Sequence, residues 1–147
     1  MDVKSLNLAS AWVSGIAEEA ARISNELCGL LGGEFVGPTL LTTHAVPLTN
    51  RSLSPDRFFV TSADYYSALG RLREAGVSAF AVYHSHAGLP SPSFLDIESM
   101  RYQDLPWVIL GQSGATRKPR VASFVMVKGR VTKLRHTLSD RDMVVLA

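Results

Sequence analysis

Ala79-Phe80-Ala81-Val82-Tyr83-His84-Ser85-His86 runs apolar from Ala79 to Tyr83 and then presents two imidazoles. The run predicts a compact strand that delivers His84 and His86 to its carboxyl end. Imidazoles one residue apart face the same side of an extended backbone. The Gly, Pro and Ser residues that follow predict a loop, a usual place for functional side chains on a rigid support. Asp96, shortly downstream, can close on the pair as a third zinc ligand. Three such ligands leave one coordination position open to water, as a hydrolytic zinc needs. The charge of the ion lowers the pKa of water held there from about 16 toward roughly 7.

Other readings fit the same residues. A His-x-His at a strand end also suits surface or hydrogen-bonded histidines. Ser93-x-x-Asp96, with Pro92 before it and Ile97 and Met100 after it, has the form of a capping box that opens a helix. A single Asp96 side chain is not expected to cap fully and to ligate zinc as well. Upstream, Asn25-Glu26-Leu27-Cys28-Gly29-Leu30-Leu31-Gly32 sets a carboxylate at the edge of an apolar stretch. Such a glutamate needs a hydrogen bond or a cation. Beside a zinc-held water Glu26 can take a proton and return it to a leaving amine. Equally, it suits a solvent-facing helix end.

Around this stretch the pattern predicts an amphipathic helix from about Ala9 to Ile23, with Trp12, Val13, Ile16, Ala17 and Ala20 on its apolar face. Leu27 to Leu31 reads as a short buried strand turned by Gly32-Gly33. Thr39 to Val46 reads as a β-branched strand ended by Pro47, and Pro47 to Phe59 as a loop. Thr61 or Ser62 caps a helix to about Glu74 that Gly76 stops. Pro106 to Leu110, Val121 to Val127 and Gly129 to Leu134 are later strands, the last two joined through Lys128-Gly129 as a hairpin. The sum is an α/β, mixed α+β, domain around a mixed sheet.

A chain of 147 residues, 46% apolar, suits one domain with its own core. A net charge of +2 is too small to argue for nucleic acid or membrane binding, and Arg117-Lys118-Pro119-Arg120 reads as a solvated turn. The lone Cys28 has no internal disulfide partner, and its apolar neighbours make it a buried small residue. No signal-like opening or membrane-length apolar run is present, so a reducing cytoplasmic setting is expected. His44 and His136 read as structural or solvent-facing, Trp107 as core, and Tyr83 either as a support of the site or as mere packing under it.

Glu26, then His84-Ser85-His86, then Ser93-Phe94-Leu95-Asp96 resembles the signature of the JAMM (MPN+) metalloproteases. Glu26 to Leu31, Val46 to Asn50, Phe58-Phe59 and the Ser123 to Gly129 hairpin resemble small bacterial members, so the likeness covers nearly the whole chain. It implies one domain over residues 1–147 with a mixed sheet flanked by helices in a cytidine-deaminase-like architecture. It further implies Zn²⁺ on His84, His86 and Asp96, Glu26 as the proton shuttle and Ser93 as the oxyanion donor. The implied reaction is hydrolysis of a peptide or isopeptide bond after the carboxyl-terminal glycine of a ubiquitin-like or sulfur-carrier protein ending in Gly-Gly. Two departures stand out: Ala87 replaces a common proline, and Ala87 to Pro92 is one residue shorter than usual, a shortening that Gly88 can absorb. A zinc amidohydrolase of small metabolites and a noncatalytic scaffold of the same fold are the competing functions.

Overall fold

The computed structural model describes residues 3–23, 25–101, 104–113 and 118–146. In chain order the elements are β1 (Ser5–Ala9), α1 (Ser10–Ala20), β2 (Cys28–Val36), β3 (Thr39–Leu48), α2 (Ser62–Glu74), β4 (Ala79–Ser85), α3 (Phe94–Met100), β5 (Trp107–Ser113), β6 (Lys118–Val127), β7 (Arg130–Ser139) and β8 (Val144–Val145). The mixed α+β character expected from the pattern is borne out.

Strand order is β1-β7-β6-β5-β4-β2-β3-β8, and β1 also pairs with β3. Because β1 has β7 on one side and β3 on the other, the sheet closes into a ring, a feature absent from the expectation of a sheet merely flanked by helices. Closure removes most free edges, which are otherwise templates for unwanted pairing. The two faces are covered differently. Leu6, Trp12, Leu31, Ala81, Tyr83 and Leu110 pack on the α1 side, whereas Leu30, Leu72, Val82, Met100, Trp107 and Ile109 pack on the side of α2 and α3. Alternation along β4 therefore aims Val82 and His84 toward α2 and α3, and Tyr83 toward Trp12, with ring centroids 5.0 Å apart. Tyr83 packs beneath the sheet and takes no part in the site.

Several boundaries differ from expectation, each for a tertiary reason. Gly32-Gly33 is not a turn: β2 runs through it with a register shift, and the hairpin turns at Gly37, where φ is +60°. A side chain at Gly33 would strike the Leu41 carbonyl, so close strand approach demands that glycine. Pro47 does not end β3, which continues to Leu48. β8 stops opposite Ala45, so Pro47 lies beyond that partner with β2 as its neighbour, where a missing N–H is tolerated. Lys118–Arg120 opens β6 instead of forming a turn, while Arg117 lies outside the described residues. Thr61 does cap α2, its side chain accepting the Asp64 N–H at 3.1 Å, and Gly76 ends it at φ +86°. Lys128 and Gly129, both at positive φ, make the two-residue turn between β6 and β7. Among the described residues no helix is long and apolar enough to cross a membrane.

Candidate metal centre

β4 is held between antiparallel β2 and parallel β5, with Cys28 and Ile109 flanking His84. That fixes the histidine's backbone on both sides. Its ring is fully buried, against Phe58 at 4.7 Å and edge-on to Trp107 at 5.4 Å between centroids. His86 lies just beyond the strand end, anchored by its N–H to the Leu110 carbonyl at 2.7 Å. Its Nδ1 lies 3.3 Å from the Leu89 carbonyl, so Nδ1 donates there and Nε2 is the atom left to face the centre.

The third group arrives on α3. Ser93 is its N-cap: the Ser93 Oγ accepts the Asp96 N–H at 3.1 Å, and Asp96 Oδ2 accepts the Ser93 N–H at 2.9 Å. The same Oδ2 lies 3.2 Å from His84 Nε2 and 3.1 Å from His86 Nε2. Capping and facing the histidines are thus done by one oxygen, contrary to the expected conflict between the two roles. A carboxylate oxygen has lone pairs in more than one direction, so one accepts the backbone while another faces the centre.

The two imidazole Nε2 atoms are 3.0 Å apart, which completes a triangle of three potential ligand atoms. A single Nε2 proton serves one of these contacts, whereas a cation serves all three together. Tetrahedral zinc with bonds of about 2.0–2.2 Å separates its ligand atoms by roughly 3.3–3.6 Å, close to this triangle. The donor set therefore fits a small divalent ion. Glu26, His84 and His86 also form a group whose ligand atoms lie within 4.8 Å of one another.

Glu26 approaches from the segment before β2 and is buried, with Oε2 3.9 Å from His86 Nε2 and Oε1 without a partner among the described residues. Burial raises its carboxyl to about 7, with His86 opposing and Asp96 and Asp56 adding to the rise. A divalent ion nearby would pull that value down. Asp96 stays well below the carboxylate range: burial pushes it up, but hydrogen bonds to His84, His86 and the Ser93 N–H outweigh that. Burial holds His84 below the ordinary imidazole value. For His86 burial also lowers the value, yet Asp96 and Glu26 carry it above.

The structure thus brings together Glu26, His84, His86, Ser93 and Asp96, with the Ser93 hydroxyl half-buried at the helix start. Gly88, credited with absorbing the short loop, is not at positive φ, and a side chain there would meet nothing. Room comes from Gly111 on β5, where a Cβ would strike the Gly88 carbonyl and lie 2.7 Å from Pro90 N. Ser85, a spacer in the motif, is a clamp: its Oγ accepts the Leu27 N–H at 2.8 Å and its N–H donates to the Leu27 carbonyl at 2.9 Å. Asn50 was also missed, although asparagine just after a strand is a turn-forming signal. Cys28 is buried, its thiol pushed up to about 12 by burial and by Glu26, so it is inert near neutrality.

A family model described as prokaryotic homologs of the JAB domain matches residues 9–127. The chain belongs to the prokaryotic JAB family. The likeness read from Glu26, the histidine pair and Ser93 to Asp96 is borne out at the level of this domain. A solution structure of protein DSY2949 from Desulfitobacterium hafniense is similar to this JAB-family chain, with TM-score 0.78 and 26% identity over 92% of this chain and 94% of the other. No curated protein matches the chain.

Proposed function

We propose that this JAB-family chain is a zinc-dependent hydrolase that cuts a peptide or isopeptide bond after the carboxyl-terminal glycine of a ubiquitin-like or sulfur-carrier protein. The reading is carried by one observation: His84 Nε2, His86 Nε2 and Asp96 Oδ2 converge within 3.0–3.2 Å of one another, with the Glu26 carboxylate beside them. His84, His86 and Asp96 hold the ion, which when bound supplies Lewis-acid charge and lowers the pKa of water. Glu26 accepts the proton of the attacking water and passes it to the departing nitrogen, a role suited to a buried carboxyl near neutrality. Ser93 Oγ accepts from the helix and keeps its own proton free to donate to the oxygen on which charge develops. The carrier tail enters a cleft of about 490 Å³ walled by Arg57, Phe58, Phe59, Leu95 and Asp96. The setting is a reducing cytoplasm, where Cys28 stays a thiol.

The test is metal analysis followed by incubation with a Gly-Gly-ended carrier extended by amino acids or joined to an amine. The reading requires about one zinc per chain and a product ending at glycine by mass spectrometry. Zinc-free protein, or turnover of small amides without any carrier, would remove it. A scaffold would bind the carrier unchanged and release no product.

A further inference from the structure

Nothing among the described residues grips the Glu26 side chain: Oε1 is buried without a partner, and Oε2 reaches His86 only at 3.9 Å. The carboxylate is therefore placed by its main chain. That main chain is tied in two places. Ser85 holds Leu27 from β4, and Asn50 Nδ2 donates to the Glu26 carbonyl at 2.9 Å. The remaining valences of the Asn50 amide are spent on the loop that follows it. Nδ2 also donates to the Arg57 carbonyl at 3.1 Å, and Oδ1 accepts the Ser52 N–H at 2.9 Å and the Phe59 N–H at 3.0 Å. The loop closes on itself through Arg51 N–H to the Phe59 carbonyl at 2.8 Å, and it carries Phe58 against His84.

From this geometry we infer that Asn50 is a positioning residue: one fully committed amide locks the Glu26 carboxylate to the loop that walls the cleft. The inference rests on the hydrolytic reading for its kinetic consequence but not for its structural one. A carboxylate without side-chain anchors follows its backbone, and a misplacement of about 1 Å is worth roughly 100-fold in rate. Substrate pressing on Phe58 and Phe59 then bears on the loop that Asn50 joins to Glu26. Among the described residues no hydrogen bond from Asn50 reaches His84, His86 or Asp96, so its direct tie is to the Glu26 main chain, and zinc affinity separates that tie from any effect passed to His84 through Phe58.

Asn50→Asp is the selective variant. It keeps the acceptor for Ser52 and Phe59 and replaces the donor that holds the Glu26 and Arg57 carbonyls. Zinc affinity, amide hydrogen exchange and steady-state kinetics on a Gly-Gly-ended carrier bearing a carboxyl-terminal extension are measured together. We expect zinc affinity within about threefold of the parent and kcat lowered by about 10- to 100-fold. KM stays within about twofold, and the Leu27 amide, which Asn50 does not touch, exchanges about tenfold faster. Added to Glu26→Gln, Asn50→Asp lowers the residual rate by less than about twofold, because the group it positions is gone. Unchanged Leu27 exchange overturns the inference, as does an equal loss of rate in the Glu26→Gln background. Asn50→Ala, followed by exchange at Ser52, Phe59 and Leu27, decides the case if the aspartate variant does not fold. Exchange at Leu27 also answers when no carrier is cleaved, so failure of the hydrolytic reading stays separable.

Discussion

Asp96 does two jobs with one oxygen, and substitutions can separate them. Asn at 96 keeps a neutral acceptor for the Ser93 N–H but gives up the anionic charge facing both histidines. Asp96→Asn is expected to lose zinc at chelator concentrations the parent withstands and, having given up the charge that faces both histidines, to melt lower than the parent without metal as well. Asp96→Ala loses zinc as well and, with the carboxylate half of the capping box gone, costs about 1 kcal/mol more than Asp96→Asn in unfolding measured with EDTA present. Equal melting of the two variants would show that the bond from the Ser93 N–H to the side chain at 96 contributes nothing. Glu26→Gln is the complementary change. It leaves the zinc content intact and lowers kcat by about 100-fold or more, as removal of a general acid and base should, read by product formation beside metal analysis.

At the scale of elements, the segment between β4 and α3 is seated by β5 and not by its own glycine. Gly111 lies under Gly88, Leu89 and Pro90, and the Leu89 carbonyl in turn accepts from His86 Nδ1. A methyl group at 111 has backbone for neighbours, which cannot rotate aside as a side-chain tip would. Gly111→Ala is therefore expected to lift the loop, weaken zinc binding about tenfold and lower the melting temperature. Gly88→Ala should change neither, because its added carbon meets open space. Competition with a colorimetric chelator measures both, and a harmful Gly88→Ala beside a silent Gly111→Ala would reverse the assignment. The helix α3 owes its start to Ser93 and Asp96, so loop seating and capping together aim the Asp96 carboxylate at the two histidines.

For the whole molecule, the ring of strands buries titratable groups that mark its stability at high pH. Burial raises Cys28 to about 12 and pushes the Tyr83 phenol above its usual range. In the unfolded chain both ionise at ordinary values, so above about pH 9 the unfolded state holds fewer protons than the native one. Stability is then full below pH 9 and falls as pH rises, by about 1.4 kcal/mol per pH unit for each group that ionises only on unfolding. Urea denaturation between pH 8 and 11 should show this decline, with a shallower slope in Cys28→Ala. A flat profile would mean that these side chains meet water in the native state. The same burial predicts that Cys28 reacts with thiol reagents only after denaturant is added.

How much could be read beforehand follows from the range of the forces involved. The β4 strand, the α2 cap at Thr61, the Lys128-Gly129 hairpin and the Ser93-x-x-Asp96 cap depend on periodicity and on contacts within a few residues, so the chain declares them locally. The candidate ligand types and Glu26 were legible for the same reason, as chemistry spelled in short motifs. The ring closed by β1, the run of β2 through Gly32-Gly33, and the tie of Leu27 to Ser85 across 58 residues depend on which strands become neighbours. So do the hub at Asn50 and the seat at Gly111. By itself the sequence determined which groups are available for chemistry and the local elements that carry them. Only the tertiary structure decided their separations, because packing between distant segments sets where a buried side chain without anchors comes to rest.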